Sequence, residues 1–230
     1  MKTETFNLHK TSLRTLNDRL HHLDLSKDPT HFIVEAPRGT HNIACGLKNE
    51  ITVDIQGHAG YYCGGMNQTA AITIQGNCGV GVAENMMSGM VCVKGSASQS
   101  AGATGNGGLL VIHGNASARC GISMKGIDIV VRGSVGHLSA FMAQSGNLVV
   151  CGDSGDSLGD SIYEAKIFVL GKAKSLGADC IEKEMHPEHI ETVTALLKQA
   201  GIDDVNPAAF KRYGSARKLY NFNIDHADKY

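Results

Sequence analysis

The chain has 230 residues, 42% of them hydrophobic and 19% charged, with a formal net charge of −1. That length buries a sizeable core, and a balanced charge without a basic stripe argues against nucleic acid as a partner. No apolar run approaches a membrane span and the polar N-terminus is no signal peptide, which points to a cytoplasmic protein with no membrane partner.

Residues 1–30 read as a helical extension. Leu13, Leu16, Leu20 and Leu23 share one helical face, Thr11 or Ser12 supplies the cap, and Asp28-Pro29 ends the pattern. The apolar face packs on the first coil or on a partner. Residues 31–56 read as that coil in degenerate form, with Phe32-Ile33-Val34 as a strand and Pro37-Arg38-Gly39 as a turn. Arg38 stands where the downstream pattern demands glycine, and terminal repeats are commonly atypical because they close a stack end.

A strict repeat fills residues 51–180. Gly57, Gly76, Gly95, Gly114, Gly133, Gly152 and Gly171 are each 19 residues from the next. The positions four and two before each marker are aliphatic throughout, from Val53 and Ile55 to Ile167 and Val169. Seven residues after the markers stand Gly64, Ala83, Gly102, Gly121, Ala140, Gly159 and Ala178. The unit is too short for a helix pair and lacks the leucines and the Asn or Cys of a leucine-rich repeat. Its alternation at period two is that of strands. The predicted fold is therefore all-β: a single-stranded parallel β-helix of about seven to eight 19-residue coils over residues 31–180, with short α-helical N- and C-terminal extensions. The markers are expected to turn a corner at positive φ, and the small column to form a second corner or a close approach of walls.

The outward position of each strand reads Asp54, Thr73, Cys92, Val111, Val130, Val149 and Phe168. Such an increasingly apolar face is covered, either by the chain's own tail or by another protein. The glycine clusters Gly79-Val80-Gly81 and Gly102 to Gly108 are followed by another strand, not by the helix that a dinucleotide fingerprint requires. The seven cysteines, Cys45, Cys63, Cys78, Cys92, Cys120, Cys151 and Cys180, form no C-x-x-C and read as reduced, buried small hydrophobes.

Residues 181–230 form a helical docking tail. Pro187 suits a first helical turn, Ile190, Val193, Leu196 and Leu197 make an apolar face, and Gly201 is a natural stop. A second short helix begins near Asn206-Pro207. Phe210-Lys211-Arg212-Tyr213-Gly214 and Leu219-Tyr220-Asn221-Phe222 come next, with Arg217 and Lys218 adding charge. Either these basic and aromatic residues dock a partner, or the aromatics pack on the last coils and the charges are solvated.

Candidate chemistry is sparse. Gln56, Gln75, Lys94, His113 and Arg132 share one slot on successive coils, which makes either a binding edge for an anionic partner or a plain exposed strand edge. Lys94, His113, Arg132, Lys211 and Arg212 are thus the candidate docking residues. His186 and His189 read as surface residues. Asp153, Asp156 and Asp160 share one coil, whereas calcium-binding β-helices repeat their acidic slot. There is no Trp and only 5% aromatics, which disfavours a sugar-cleaving cleft. Nothing assembles a nucleophile, a base and an oxyanion site, so no catalytic, cofactor-binding or metal-binding residue is assigned.

The coils, with Ala101-Gly102-Ala103-Thr104-Gly105 and the recurring V-x-V-x-G unit, resemble the GXGXG β-helix domain at the C-terminus of the glutamate synthase large subunit. The resemblance covers roughly residues 32–180. It implies a right-handed β-helix without catalytic residues, set between an amidotransferase-like part and an FMN-containing synthase-like part and helping to define an ammonia route. Free-standing versions resemble the B subunit of N-methylglutamate synthase. That implies an amidotransferase-like and an FMN-binding partner subunit, with FMN and an iron–sulfur cluster on the partner and none here. The His41 to Leu47 entry and the compact tail favour this over the similar C subunit of formylmethanofuran dehydrogenase. A third reading, from a different class, is an independent β-helix enzyme.

Overall fold

A computed structural model describes residues 2–217. Strand β1 (Thr3–Asn7) and helix α1 (Leu13–His21) come first, followed by the eight strands β2 (His31–Glu35), β3 (Thr52–Gln56), β4 (Ala71–Ile74), β5 (Met90–Val93), β6 (Leu109–Ile112), β7 (Lys125–Val131), β8 (Ser145–Val150) and β9 (Lys166–Val169). Strand β10 (Cys180–Lys183), helix α2 (Pro187–Gln199), a 3₁₀ turn (Pro207–Ala209) and β11 (Lys211–Ser215) complete the chain. One sheet runs β1-β2-β3-β4-β5-β6-β7-β8-β9-β11-β10, parallel from β1 to β9. The fold is the expected parallel β-solenoid.

The repeat explains the register. Val53, Ile72, Val91, Leu110, Ile129, Leu148 and Ile167 lie directly opposite one another, as do Ile55, Ile74, Val93, Ile112, Val131, Val150 and Val169. All fourteen are buried in one continuous core. A second wall forms two residues after each marker, where single parallel bridges link Ala59, Cys78, Ala97, Ala116, Val135, Ser154 and Ala173 in turn.

The markers do line up, but the physical reason for glycine differs from the expectation. Of the seven, only Gly57 has positive φ, at 142°. The others are glycine because backbone stacks on backbone: Gly95, Gly114, Gly133, Gly152 and Gly171 each donate their N–H to the preceding marker's carbonyl at 2.8–3.1 Å. A Cβ on Gly114 would lie 2.7 Å from that carbonyl oxygen on Gly95. The following residue then locks the corner by its side chain. The backbone N–H of Ser96 donates to Asn77 Oδ1 (2.9 Å), that of Asn115 to Ser96 Oγ (3.1 Å), that of Ser134 to Asn115 Oδ1 (2.8 Å) and that of Asp153 to Ser134 Oγ (2.9 Å).

Positive φ gathers at the third wall instead. Three alternate residues per coil are left-handed there, for example Ser100, Gly102 and Thr104, or Leu138, Ala140 and Met142. The outer two donate forward to the next coil (Ser100 N–H to Ala118 O, 3.0 Å; Thr104 N–H to Ile122 O, 2.9 Å), and the middle one donates back (Gly102 N–H to Val82 O, 2.8 Å). A left-handed residue other than glycine costs roughly 1–2 kcal/mol. Here the alternation satisfies neighbours on both sides, so the coil stack holds it.

The end coils depart from the 19-residue period. His31 lies opposite Thr52, 21 positions on, whereas Thr52 lies opposite Ala71, 19 on. The first coil is longer, so the counterpart of Gly57 is Ala36 and not Arg38; both Ala36 (φ 51°) and Arg38 (φ 48°) are left-handed in that turn. The last coil is shorter after its start, since Leu158 bridges Leu176, 18 positions on. Gly177 rather than Ala178 therefore occupies the counterpart of Gly159.

Residues 1–30 are more than a helical extension, because β1 pairs in parallel with β2 and α1 forms the crossover. Ser12 caps α1 by accepting from the Thr15 N–H, and Leu16 and Leu20 are buried on the first coil. Arg19 ties this end together by ion pairs to Glu4 (3.0 Å) and Asp28 (2.9 Å). At the other end the tail returns as a strand: β11 lies antiparallel between β9 and β10.

The apolar outward column is covered by the chain's own tail. Cys92, Val111, Val130, Val149 and Phe168 form a second core with Val193, Leu196, Leu197, Ala200, Ile202 and Phe210. His189, expected on the surface, is buried at 7% exposure in place of Ile190, with its ring 6.2 Å from Phe168 and its Nδ1 accepting from the His186 N–H. The aromatic tail residues Phe210 and Tyr213 pack inside. Lys218 and Leu219-Tyr220-Asn221-Phe222 lie outside the described residues.

Candidate functional site

The polar column lies at the ends of β3 to β7, from Gln56 to Arg132. Lys94 Nζ stands 3.3 Å from His113 Nε2, and Arg132 grips Asp204 with two hydrogen bonds of 2.7 Å. Burial, with Lys94 and Arg132 on either side, pushes the His113 pKa down. Its neutral ring accepts from the Lys94 ammonium. The Arg132 guanidinium holds the Asp204 carboxyl down at about 2. Of the three residues expected to dock a partner on this edge, Arg132 is thus engaged by the loop after α2, and Lys94 with His113 stays exposed or half-exposed.

The tail candidates lie apart from that edge. Lys211 pairs with Glu182 at 3.2 Å, and Arg212 Nε donates to the Glu184 carbonyl at 2.8 Å. Arg217 pairs with Asp179. These cations pin β11 and the following turn to β10, so no single cluster joins Lys94, His113, Arg132, Lys211 and Arg212.

Most of the thiols are poor nucleophiles. Burial pushes Cys120 up to about 12 and Cys45, Cys151 and Cys180 up to about 11. The neighbouring Cys78 thiol, with burial, raises Cys63 further. A thiolate is needed for attack or metal ligation. Among the described residues no group of three or more His, Cys, Asp or Glu side chains could hold a metal ion, and no helix is long and apolar enough to cross a membrane. The Gly102–Gly108 run offers no phosphate cradle, because its amides are spent between coils: Gly102 N–H on Val82 O and Asn106 N–H on Met86 O (2.7 Å). A Cβ at Gly105 would strike Ile127.

One concave feature escaped the sequence. An open pocket of about 400 Å³ lies on the left-handed wall near the N-terminal end, lined by Asn42, Cys45, Tyr62, Met66, Glu84 and Asn85. Tyr61 stacks on His41 with centroids 4.3 Å apart and meets Tyr62 edge-on at 6.4 Å. The signal is a departure from the repeat: Tyr61-Tyr62 stands where later coils place Val80-Gly81, Gln99-Ser100 and Ala118-Arg119.

Taken together, these features define a parallel β-solenoid of 19-residue, glycine-stacked coils whose one sheet is sealed by its own C-terminal helix. Residues 38–207 match the model of the GXGXG motif family, and the chain belongs to that family. It is also 61% identical, over 223 residues, to Protein GlxC of Rhizobium meliloti (strain 1021), a match that covers 97% of this chain and 98% of that protein.

Proposed function

We propose that this chain is a non-catalytic structural subunit of a glutamate-synthase-like heteromeric complex, with N-methylglutamate synthase as the particular enzyme. In this reading the solenoid bridges an amidotransferase-like subunit and an FMN-containing synthase-like subunit, and helps form the ammonia or amine route between them. FMN and an iron–sulfur cluster belong to the partner. The reaction of the whole is glutamate plus methylamine giving N-methylglutamate plus ammonia, which balances without a redox partner.

The observation that supports the reading is the GXGXG match over residues 38–207, carried by glycine columns that make a stiff, closely stacked spool. A wall built by backbone stacking offers fixed surfaces to neighbours at little conformational cost on binding. The test is affinity purification of the tagged chain from its native cell, with assay of the eluate on glutamate and methylamine. Copurification of an amidotransferase-like and a flavin-containing subunit, with N-methylglutamate formed, is the expected result. Molybdenum or tungsten enzyme subunits in the eluate would move the chain to the formylmethanofuran dehydrogenase type. Full activity in the isolated polypeptide would make it an enzyme in its own right.

A further inference from the structure

The geometry points to a binding site for a small alkylated ammonium ion in the pocket between Tyr62 and Glu84. The pocket holds an unpaired charge. The Glu84 side chain is half-buried, and its carboxylate makes no hydrogen bond or ion pair with any described residue. No lysine or arginine lines the pocket. A carboxylate on a pocket wall with no cation beside it favours a cationic guest by simple Coulomb attraction.

The neutral walls narrow the choice of cation. Tyr62 is 44% exposed, so part of its ring is open to the pocket, and edge contact with Tyr61 holds it in place. The ring and the carboxylate are close. The point one bond out from the Gly81 Cα, where a Cβ would sit, is 2.7 Å from Glu84 Oε2 and 2.7 Å from Tyr62 Cδ1. The same pocket is lined by the Met66 side chain, 53% exposed, and by the Cys45 thiol, which donates to the Tyr62 carbonyl at 2.7 Å and adds no charge. A bare metal ion needs several hard oxygen or soft thiolate ligands, and this pocket has one carboxylate. An alkylammonium needs one counter-charge, an aromatic face for its polarised methyl groups and a soft apolar wall. The asparagines Asn42 and Asn85 complete the rim. Both are left-handed, as are Tyr62 and Met66, so the coil stack fixes the backbone on both sides of the opening.

Other grooves are weaker. The one at the C-terminal end between Tyr163 and Arg217 is lined by more cations than anions, and its two guanidinium groups are already tied, Arg217 to Asp179 and Arg212 to the Glu184 carbonyl. The ammonium site rests on this pocket and not on the complex proposed above, so each can fail without the other.

The test is NMR titration of the full chain, labelled at the methionine methyl groups, with trimethylammonium chloride. The Met66 methyl should shift and saturate, while the Met142 methyl, at the same place in a distant coil, should not move. Methylammonium should bind at the same site more weakly, having fewer methyl groups for the ring. Glu84→Gln should weaken binding about tenfold, in line with losing a charge-assisted contact, and Tyr62→Leu should weaken it severalfold. An unmoved Met142 signal in both variants establishes that they are folded. A stationary Met66 methyl, an equal shift with neutral tert-butanol or with acetate, or unchanged affinity in folded Glu84→Gln would each overturn the site.

Discussion

Gly114 and Gly121 look alike in the sequence and do different physical work. Gly114 is an ordinary residue by φ, excluded from bearing a side chain because Gly95 O is 2.7 Å from where its Cβ would be. Gly121 is left-handed at φ 69°, with space limited by Met124 Sδ at 3.2 Å and Ile129 Cδ1 at 3.3 Å. Its column already holds Ala83 and Ala140 at nearly the same φ. Gly121→Ala should therefore cost only about 1 kcal/mol, the left-handed penalty. Gly114→Ala should cost about 1–3 kcal/mol despite the same single methyl, because it presses on backbone. Gly121→Val should exceed both, as a β-branched residue combines the two faults. Urea unfolding of the three variants gives the order; equal losses for the two alanines would mean that approach and φ do not separate these columns. The sequence shows that both positions must be small, but glycine serves either purpose, so only coordinates distinguish them.

At the scale of elements, the sheet has two faces with different owners. The inward columns belong to the repeat and are fully legible, because a 19-residue period puts equivalent aliphatics on equivalent strands. The outward column from Cys92 to Phe168 is legible as needing a cover, and the cover is α2. What stays hidden is the tail's return: β11 carries no repeat and its Lys211-Arg212 pair reads as loose charge until the Glu182 carboxylate and the Glu184 carbonyl are seen to hold it. His189 departs from its surface reading because its burial depends on Phe168, which the helical pattern alone does not reveal. The pocket is hard to read for a related reason: Tyr61-Tyr62 breaks the repeat, but the lining residues come from three coils and share no sequence pattern. Leu197, 2% exposed, is the test of the cover. Leu197→Ala should destabilise by about 2–4 kcal/mol, and hydrogen exchange should accelerate in α2 and β11 before it does in β4 and β5. Uniform acceleration along the whole chain would show that tail and coils unfold as one unit.

A stack of parallel strands leaves two open edges, and the whole molecule is shaped by how it closes them. An unpaired strand edge invites another chain to pair with it. At the C-terminal end the chain reverses direction, laying β11 antiparallel to β9 and β10 antiparallel to β11, so the row of coils stops on strands with a different hydrogen-bond pattern. At the N-terminal end β1 covers β2 in register, from Thr3 opposite His31 to Asn7 opposite Glu35. Its sequence, Thr-Glu-Thr-Phe-Asn, is mostly polar, and Arg19 holds Glu4 from the crossover helix. That polarity makes the strand unreadable from periodicity, and it also suits an edge that must face solvent. Deleting residues 1–11 should leave the buried columns intact while exposing the β2 backbone, flanked by Phe32, Ile33 and Val34. Light scattering after size exclusion should then show concentration-dependent association that the full chain lacks, with the circular dichroism of strand retained. A truncated chain that stays the same size at every concentration would mean that β2 guards its own edge and that β1 serves only to anchor α1.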